Sequence, residues 1–224
     1  MASRMSLRLP PLYAILDPDQ IKTGAIEEVL SELLRAGVKM LQLRAKSLAA
    51  KDFLALAKLV RRESQAYNCR FIVNDRADIA MVCNADGVHL GQDDLPLQVG
   101  RRLLGNKIIG ISTHDLEQAR QAQSGGADYI GFGPMFGTQT KDTGYGARGI
   151  DMLMEVRAAV TIPIVGIGGI NEQNVSKIWQ AGADSAAIIS DILGSKHIAA
   201  KIERILSQSS RQAIIELGQN SEDA

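Results

Sequence analysis

Short runs of apolar and β-branched residues recur eight times along this chain, and each is followed by a segment with helical periodicity. The runs are LYAILD (12–17), MLQLRAK (40–46), RFIVND (70–75), GVHLG (87–91), IIGIST (108–113), YIGFGP (129–134), PIVGIG (163–168) and SAAIIS (185–190). Strands that alternate with helices pair in parallel through right-handed crossovers. Eight such units predict an α/β fold, a single (β/α)8 TIM barrel. A doubly wound open sheet is the alternative.

The intervening segments have the apolar faces of surface helices. In the first, Ile26, Val29, Leu30, Leu33 and Leu34 recur at the spacing of one helical face, and Gly37 follows as a helix-ending signal. Residues 12–209 are therefore predicted to form the barrel. Residues 1–11 are a lead-in, and we expect the polar segment 210–224 to be a disordered tail.

Composition excludes several classes of protein. The 224 residues hold 25 basic and 25 acidic side chains, without the basic stripe of a nucleic-acid-binding protein. Cys69 and Cys83 lack metal-ligand spacing, which favours buried free thiols in a reducing compartment. Apolar stretches fall short of the ~20 residues that span a membrane. We expect a soluble, cytoplasmic protein that acts on small molecules, with the oligomeric state left open.

The residues that follow the strands are strongly polar, and in a barrel they share one rim. Arg44, Lys46 and Lys141 are cations that suit a phosphate or diphosphate. Asp75 and Asp94 are hard oxygen ligands that suit Mg²⁺. Other polar residues at the predicted strand ends are Gln42, Asn74, Gln92, Asp93, Ser112, His114 and Ser190.

Glycines after the seventh strand predict a second anion site. Gly168 and Gly169 precede a helix expected to begin near Asn171, where backbone N–H groups bind anions. Barrels often bind a phosphate monoester at the loops after strands seven and eight. Two anion sites on one rim predict two phosphorylated ligands.

Each signal also has a purely structural explanation. QLRAK can be a solvated strand exit, Asp93–Asp94 can cap a helix, and GIGGI can be a simple turn. We expect His89 to be a hydrogen-bonded residue of the barrel interior and His197 to lie on the surface. For His114, structural and functional roles both stay open.

The long loop GFGPMFGTQTKDTGYGARG (131–149) contains six glycines, and Lys141 is its only cation between 131 and 147. Connecting loops in compact domains are usually far shorter. Glycines, hydroxyls and one positive charge are typical of a loop that closes over an anion. The sequence therefore predicts a lid.

Five motifs make the chain resemble the thiamin-phosphate synthase family over about residues 12–206. They occur in the family's order: QLRAK, VNDRADIA, ADGVHLGQDDLP, ADYIGFGPMFGTQTK and IPIVGIGGINEQN followed by AGADSAAIIS. The family joins 4-amino-5-hydroxymethyl-2-methylpyrimidine diphosphate to hydroxyethylthiazole phosphate and releases pyrophosphate. The resemblance thus implies a Mg²⁺-dependent transferase with a dissociative mechanism.

The resemblance also implies roles for individual residues. The pyrimidine diphosphate would contact Gln42, Arg44, Lys46, Asn74 and Ser112, and Lys141 would bind its diphosphate. Asp75 and Asp94 would be the Mg²⁺ ligands. The thiazole phosphate would contact Thr138, Gln139, Thr140, Gly169, Ile189 and Ser190. Arg44, Lys46, Lys141 and Ser112 would be the catalytic residues.

Two departures from the family pattern occur. Ala45 stands where the family often has an acidic residue, and the segment 143–148 is rich in glycine and adds Arg148. Two other functions remain open: a thiazole tautomerase on the same barrel, which would use acid–base groups such as His114, and a non-catalytic protein that binds a thiamin precursor. The joint presence of Arg44, Lys46, Asp75, Asp94 and Lys141 argues against the tautomerase.

Overall fold

The structure, a computed structural model, describes residues 7–137 and 144–219, without the side chains of 210–219. Eight parallel strands pair in chain order, and β1 closes on β8 through the register of Leu12 with Ala186. The strands are β1 Leu12–Leu16, β2 Met40–Leu43, β3 Arg70–Asn74, β4 Gly87–Leu90, β5 Ile108–Thr113, β6 Tyr129–Phe132, β7 Ile164–Ile167 and β8 Ser185–Ile188. The predicted (β/α)8 barrel is confirmed.

Helices follow the strands around the outside of the barrel. They are α1 Ile26–Arg35, α2 Ala50–Ala66, α3 Ala77–Val82, α4 Leu97–Leu104, α5 Leu116–Ser124, α6 Gly149–Ala159, α7 Val175–Gln180, α8 Ser190–Leu193 and α9 Ile198–Gln219, with a 3₁₀ turn over Pro18–Gln20. In α1, the predicted face is largely buried, and Gly37 follows the helix with a left-handed φ of 92°. Among the described residues, no helix has the length and apolar character that a membrane span requires.

Except for β5, the strands are shorter at their carboxyl ends than the apolar runs predicted. β2 ends at Leu43 and β8 at Ile188, although the runs continue to residues 46 and 190. There the chain leaves the strand ladder and turns outward, which places the last residues of each run on the rim. At the other end of the chain, the α9 backbone is helical to Gln219, beyond the boundary predicted between residues 209 and 210.

Two apolar layers hold the barrel. The larger lies between strands and helices, and the smaller fills the barrel interior. The interior layer contains Tyr13, Ile15, Met40, Ile72, Tyr129, Val165 and Ala187. Leu7 and Leu9, from the predicted lead-in, pack against this layer. The interior is therefore a packed core, and open space is left at one end.

One aspartate precedes each of β4, β6 and β8 and joins the neighbouring elements at the amino end of the barrel. In each case a single carboxylate oxygen accepts hydrogen bonds from a backbone N–H of the preceding strand and from an arginine of the helix before that strand. The sets are Asp86 with Phe71 and Arg61, Asp128 with Ile109 and Arg101, and Asp184 with Ile164 and Arg157. This repeated bond fixes strand to helix opposite the functional rim, where barrels keep stabilising contacts.

Candidate active site

A cavity of about 690 Å³ opens at the carboxyl ends of the strands. It is lined by eight residues that the sequence predicts for the site: Gln42, Arg44, Lys46, Asn74, Ser112, Gly169, Ile189 and Ser190. This volume lies within the range of ~300–1,000 Å³ typical of small-molecule sites. The barrel thus brings residues from distant parts of the sequence to one cavity. Thr138, Gln139, Thr140 and Lys141 lie outside the described residues.

Arg44 is held in place by a carboxylate that the sequence analysis missed. Its Nη1 donates a hydrogen bond to Oδ2 of Asp17, which is fully buried at the end of β1. The Arg44 side chain is only 14% exposed. A buried carboxylate beside a guanidinium restricts its orientation. Asp17 directly follows β1. The criterion used in the sequence analysis, a polar residue at the end of a strand, therefore applies to Asp17 as well.

The two predicted metal ligands interact with each other. Asp75 follows β3 with a left-handed φ of 62°, and its Oδ2 lies 3.3 Å from Nζ of Lys46. Burial raises the pKa of Asp94, and the adjacent Asp75 carboxylate raises it further. Two carboxylates held this close favour a cation between them, and their oxygens are the donors that Mg²⁺ prefers. In the described residues, no group of three or more Asp, Glu, His or Cys side chains has a metal-site arrangement.

Asp94 does not cap a helix, which was the alternative explanation for Asp93–Asp94. Its Oδ2 accepts a hydrogen bond from the backbone N–H of Gly91 at 2.7 Å. α4 begins later, at Leu97, and the residue before it, Pro96, makes no side-chain cap. Asp94 therefore stabilises the turn after β4, which holds its carboxylate near Asp75.

The predicted helix N-terminus near Asn171 is wrong. α7 begins at Val175, and residues 171–174 form a turn. The N–H groups of Asn171 and Asn174 already donate to side-chain oxygens of Asn174 and Asn171, respectively. These local bonds occupy donors that an anion would need, and the carbonyl oxygen of Asn171 accepts the first helical hydrogen bond, from the N–H of Val175 at 3.0 Å.

Glycine backbone is what remains available for an anion after β7. Gly168 and Gly169 have left-handed φ values of 98° and 66°, and both line the cavity. A Cβ on Gly169 would lie 2.6 Å from the carbonyl oxygen of Gly137, so the residue must be glycine. The amide N–H of Gly169 has no acceptor among the described residues. Successive N–H groups in such loops form anion-binding concavities.

The three histidines have different environments. His89 is buried in the barrel interior and hydrogen-bonded, as predicted, and His197 is exposed. His114 is 8% exposed and lines the cavity, with Nδ1 2.5 Å from the carbonyl oxygen of Gly133. Its ring stacks on Tyr145 with centroids 4.2 Å apart, and the guanidinium of Arg148 covers that tyrosine.

Comparison with known proteins identifies the family. The family model described as thiamine monophosphate synthase matches residues 12–192. The chain belongs to the thiamine monophosphate synthase family. It is therefore a transferase, and the resemblance carried by its sequence motifs is confirmed.

Individual members of the thiamine monophosphate synthase family are similar over most of their length. The chain is 41% identical to a thiamine-phosphate synthase of Clostridium tetani over 87% of this chain and 93% of that one. It is 42% identical to a thiamine-phosphate synthase of Lawsonia intracellularis, over 91% of this chain and 92% of that one. A thiamine phosphate pyrophosphorylase structure from Pyrococcus furiosus superposes with a TM-score of 0.82 at 32% identity, over 90% of this chain and 96% of that one.

Proposed function

We propose that this enzyme joins 4-amino-5-hydroxymethyl-2-methylpyrimidine diphosphate to hydroxyethylthiazole phosphate, or to its carboxylate form, and releases pyrophosphate. The observation that supports the proposal is one cavity lined by two groups of residues that are each suited to bind an anion. Arg44 and Lys46 line one region, and Gly169 and Ser190 line the other. Two phosphorylated substrates would meet there, in a family whose members bear the name thiamine-phosphate synthase.

The reaction needs a leaving group, the diphosphate, and a nucleophile, the thiazole nitrogen, held close to the reacting carbon. The bond between the pyrimidine methylene carbon and the diphosphate oxygen breaks, and its electron pair leaves with pyrophosphate. The aminopyrimidine ring stabilises the resulting cation. The lone pair of the thiazole nitrogen then forms the new C–N bond, which gives thiamin phosphate directly from hydroxyethylthiazole phosphate. From the carboxylate form, the coupled product must also lose CO₂ to give thiamin phosphate. Because the product nitrogen becomes a cation, no proton has to be removed.

The chain's contribution is electrostatic and positional. Arg44, fixed by Asp17, and Lys46 would stabilise the charge that develops on the departing diphosphate. The glycine backbone at Gly169 and the residue Ser190 would hold the thiazole phosphate and keep its nitrogen in line with the reacting carbon. We also infer that Lys141 adds a further cation on the diphosphate side.

Asp75 and Asp94 would hold Mg²⁺ beside Lys46. When bound, the ion would neutralise charge on the diphosphate oxygens. The donor set fits, because both side chains are carboxylates, and burial together with the neighbouring Asp75 carboxylate raises the pKa of Asp94. Asn74, on the same rim, offers a neutral amide to the substrate.

The test is incubation of the purified protein with each substrate alone and with both together. We expect pyrophosphate and thiamin phosphate in equal amounts, and only when both substrates are present. Isomerisation of a thiazole carboxylate phosphate without pyrophosphate release would assign the tautomerase activity instead. Binding of either precursor without turnover would indicate a binding protein and refute the proposal.

A further inference from the structure

A continuous chain of hydrogen bonds crosses the barrel interior and joins two residues that line the cavity. Nε2 of Gln42 donates to the hydroxyl of Tyr13 at 3.0 Å, and that hydroxyl lies 3.0 Å from the hydroxyl of Tyr129. The Tyr129 hydroxyl is 3.0 Å from Nδ1 of His89. Nε2 of His89 is 2.9 Å from Oγ of Ser112. The chain therefore begins and ends at the cavity wall.

Two glycines on the barrel strands make room for the rings of this chain. A Cβ on Gly110 would lie 2.1 Å from Cζ of Tyr129, and one on Gly131 would lie 2.9 Å from Cε1 of His89. A side chain at either position would displace a ring. The strands thus have glycine at the positions where the hydrogen-bonded rings lie. Both tyrosines are fully buried and belong to the apolar interior layer.

The direction of the hydrogen bonds follows from one end of the chain. The Gln42 amide nitrogen can only donate, so the Tyr13 oxygen accepts. Burial raises the pKa of Tyr13 and of Tyr129, so both keep their hydroxyl protons. The buried Tyr13 proton needs an acceptor, and among its partners only the Tyr129 oxygen can accept it, so Tyr13 donates to Tyr129. By the same requirement, the Tyr129 proton is donated to Nδ1 of His89. His89 must carry its proton on Nε2 and donate it to Ser112.

The direction of these hydrogen bonds determines which donor and acceptor atoms the cavity wall presents to a ligand. Because the Ser112 oxygen accepts from His89, its own hydrogen remains to be donated elsewhere. Oγ of Ser112 and Oε1 of Gln42 make no other hydrogen bond among the described residues, and both side chains line the cavity. The wall therefore presents a donor at Ser112 and an acceptor at Gln42.

We propose that Tyr13, Tyr129 and His89 are positioning residues that make the site selective for an aminopyrimidine over the corresponding oxopyrimidine. The inference rests on the proposed function, which supplies an aminopyrimidine substrate. Such a ring has an acceptor nitrogen next to an amino donor and so complements Ser112 and Gln42. The oxo analogue has an N–H next to a carbonyl. Its N–H would then face the Ser112 donor and its carbonyl oxygen would face the Gln42 acceptor, so neither pair could form a hydrogen bond.

The test is calorimetric binding of 4-amino-5-hydroxymethyl-2-methylpyrimidine diphosphate and of its 4-oxo analogue, without the thiazole. We expect the wild type to prefer the amino compound by at least about a hundredfold. Tyr129→Phe removes the donor to His89 Nδ1, which frees the histidine to change tautomer and Ser112 to reverse its bond. The preference should then fall to about tenfold or less.

Substitutions of His89 test the same point without relying on one variant. His89→Gln keeps an N–H for Ser112 and an oxygen that accepts from Tyr129, so the preference should persist. His89→Leu supplies neither, so the preference should be lost. Tyr67→Phe, which removes a hydroxyl at the opposite end of the barrel, is the control and should bind both compounds as the wild type does.

An unchanged preference in natively folded Tyr129→Phe and His89→Leu would overturn the proposal, as would a wild type without any preference. The proposed function fails separately. If the wild type selects the amino compound but releases no pyrophosphate with the thiazole phosphate, the reaction is wrong and the positioning chain stands. If pyrophosphate is released and the variants keep full selectivity, only the positioning chain is wrong.

Discussion

Asp128 and Asp184, two of the three aspartates at the amino end of the barrel, should differ in how much stability their removal costs. Each carboxylate bonds one strand N–H and one arginine, but the pairs differ in geometry and exposure. Asp128 lies 2.6 Å from Arg101 Nη2 and is 16% exposed, whereas Asp184 lies 3.1 Å from Arg157 Nη1 and is 42% exposed. Water can replace the carboxylate of Asp184 more easily than that of Asp128.

The magnitudes follow from what each truncation leaves unpaired. Asp128→Ala leaves the N–H of Ile109 and a largely buried guanidinium without their shared acceptor, at a cost of about 3–4 kcal/mol in the free energy of unfolding. Asp184→Ala should cost about 1–2 kcal/mol, because its partners become hydrated. For a chain of this size, the Asp128 variant should melt roughly 10 °C lower.

Urea unfolding followed by circular dichroism measures the two losses, with Glu155→Ala on the exposed face of α6 as the control. The control should stay within about 0.5 kcal/mol of the wild type. Turnover of the folded Asp128 variant should be unchanged, since the cavity lies at the opposite end of the strands. Equal losses at Asp128 and Asp184, or a larger loss at Asp184, would refute the reasoning from exposure.

Four further predictions concern the site and the thiols. Lys141→Ala should lower turnover by about 10²–10³ with little change in melting temperature; a selective rise in the KM for the thiazole phosphate would place Lys141 in the other half of the site. Chelation with EDTA should abolish turnover until Mg²⁺ is restored, and Asp75→Ala or Asp94→Ala should be inactive but folded; full activity after chelation would contradict the metal assignment. His114→Ala should cost about tenfold or less, roughly 1.4 kcal/mol of barrier, because the mechanism uses no obligatory base, and a loss of several thousandfold would indicate acid–base chemistry. Burial raises the pKa of the Cys69 thiol to about 12, so an aromatic disulfide reagent should label it only after unfolding; rapid labelling of the native protein would show that the thiol is accessible.

The sequence alone determined the strand and helix alternation, and its eight units predicted the barrel, whereas the pairing of β1 with β8 in the structure excluded the open sheet. The periodicity of apolar residues can be read within one segment. A strand such as 70–74 buries both faces and is apolar throughout, whereas a helix such as α1 buries one face and is apolar only on that face. The same alternation orders the strand ends, so residues after different strands could be assigned to one rim. Gln42, Ser112 and Gly169 were placed in this way, without any knowledge of their distances.

Local competition for hydrogen bonds decided details that periodicity does not report. The segment after β7 looks helical from Asn171, yet a turn in which Asn171 and Asn174 bond each other's N–H groups comes first, and α7 begins at Val175. Asp94 similarly reads as a helix cap but bonds Gly91. Both outcomes depend on which nearby backbone N–H a side-chain oxygen bonds.

Only the tertiary structure decided which residues act on one another across the barrel. Parallel pairing of neighbouring strands brings Asp17 against Arg44 and Asp75 against Asp94, pairs that are separated along the chain. It also joins Gln42 to Ser112 through three buried rings that read, one by one, as ordinary core residues of their strands. The physical reason is that strand periodicity tells which face a side chain lies on, whereas the direction and partner of a hydrogen bond depend on what the other strands place opposite it.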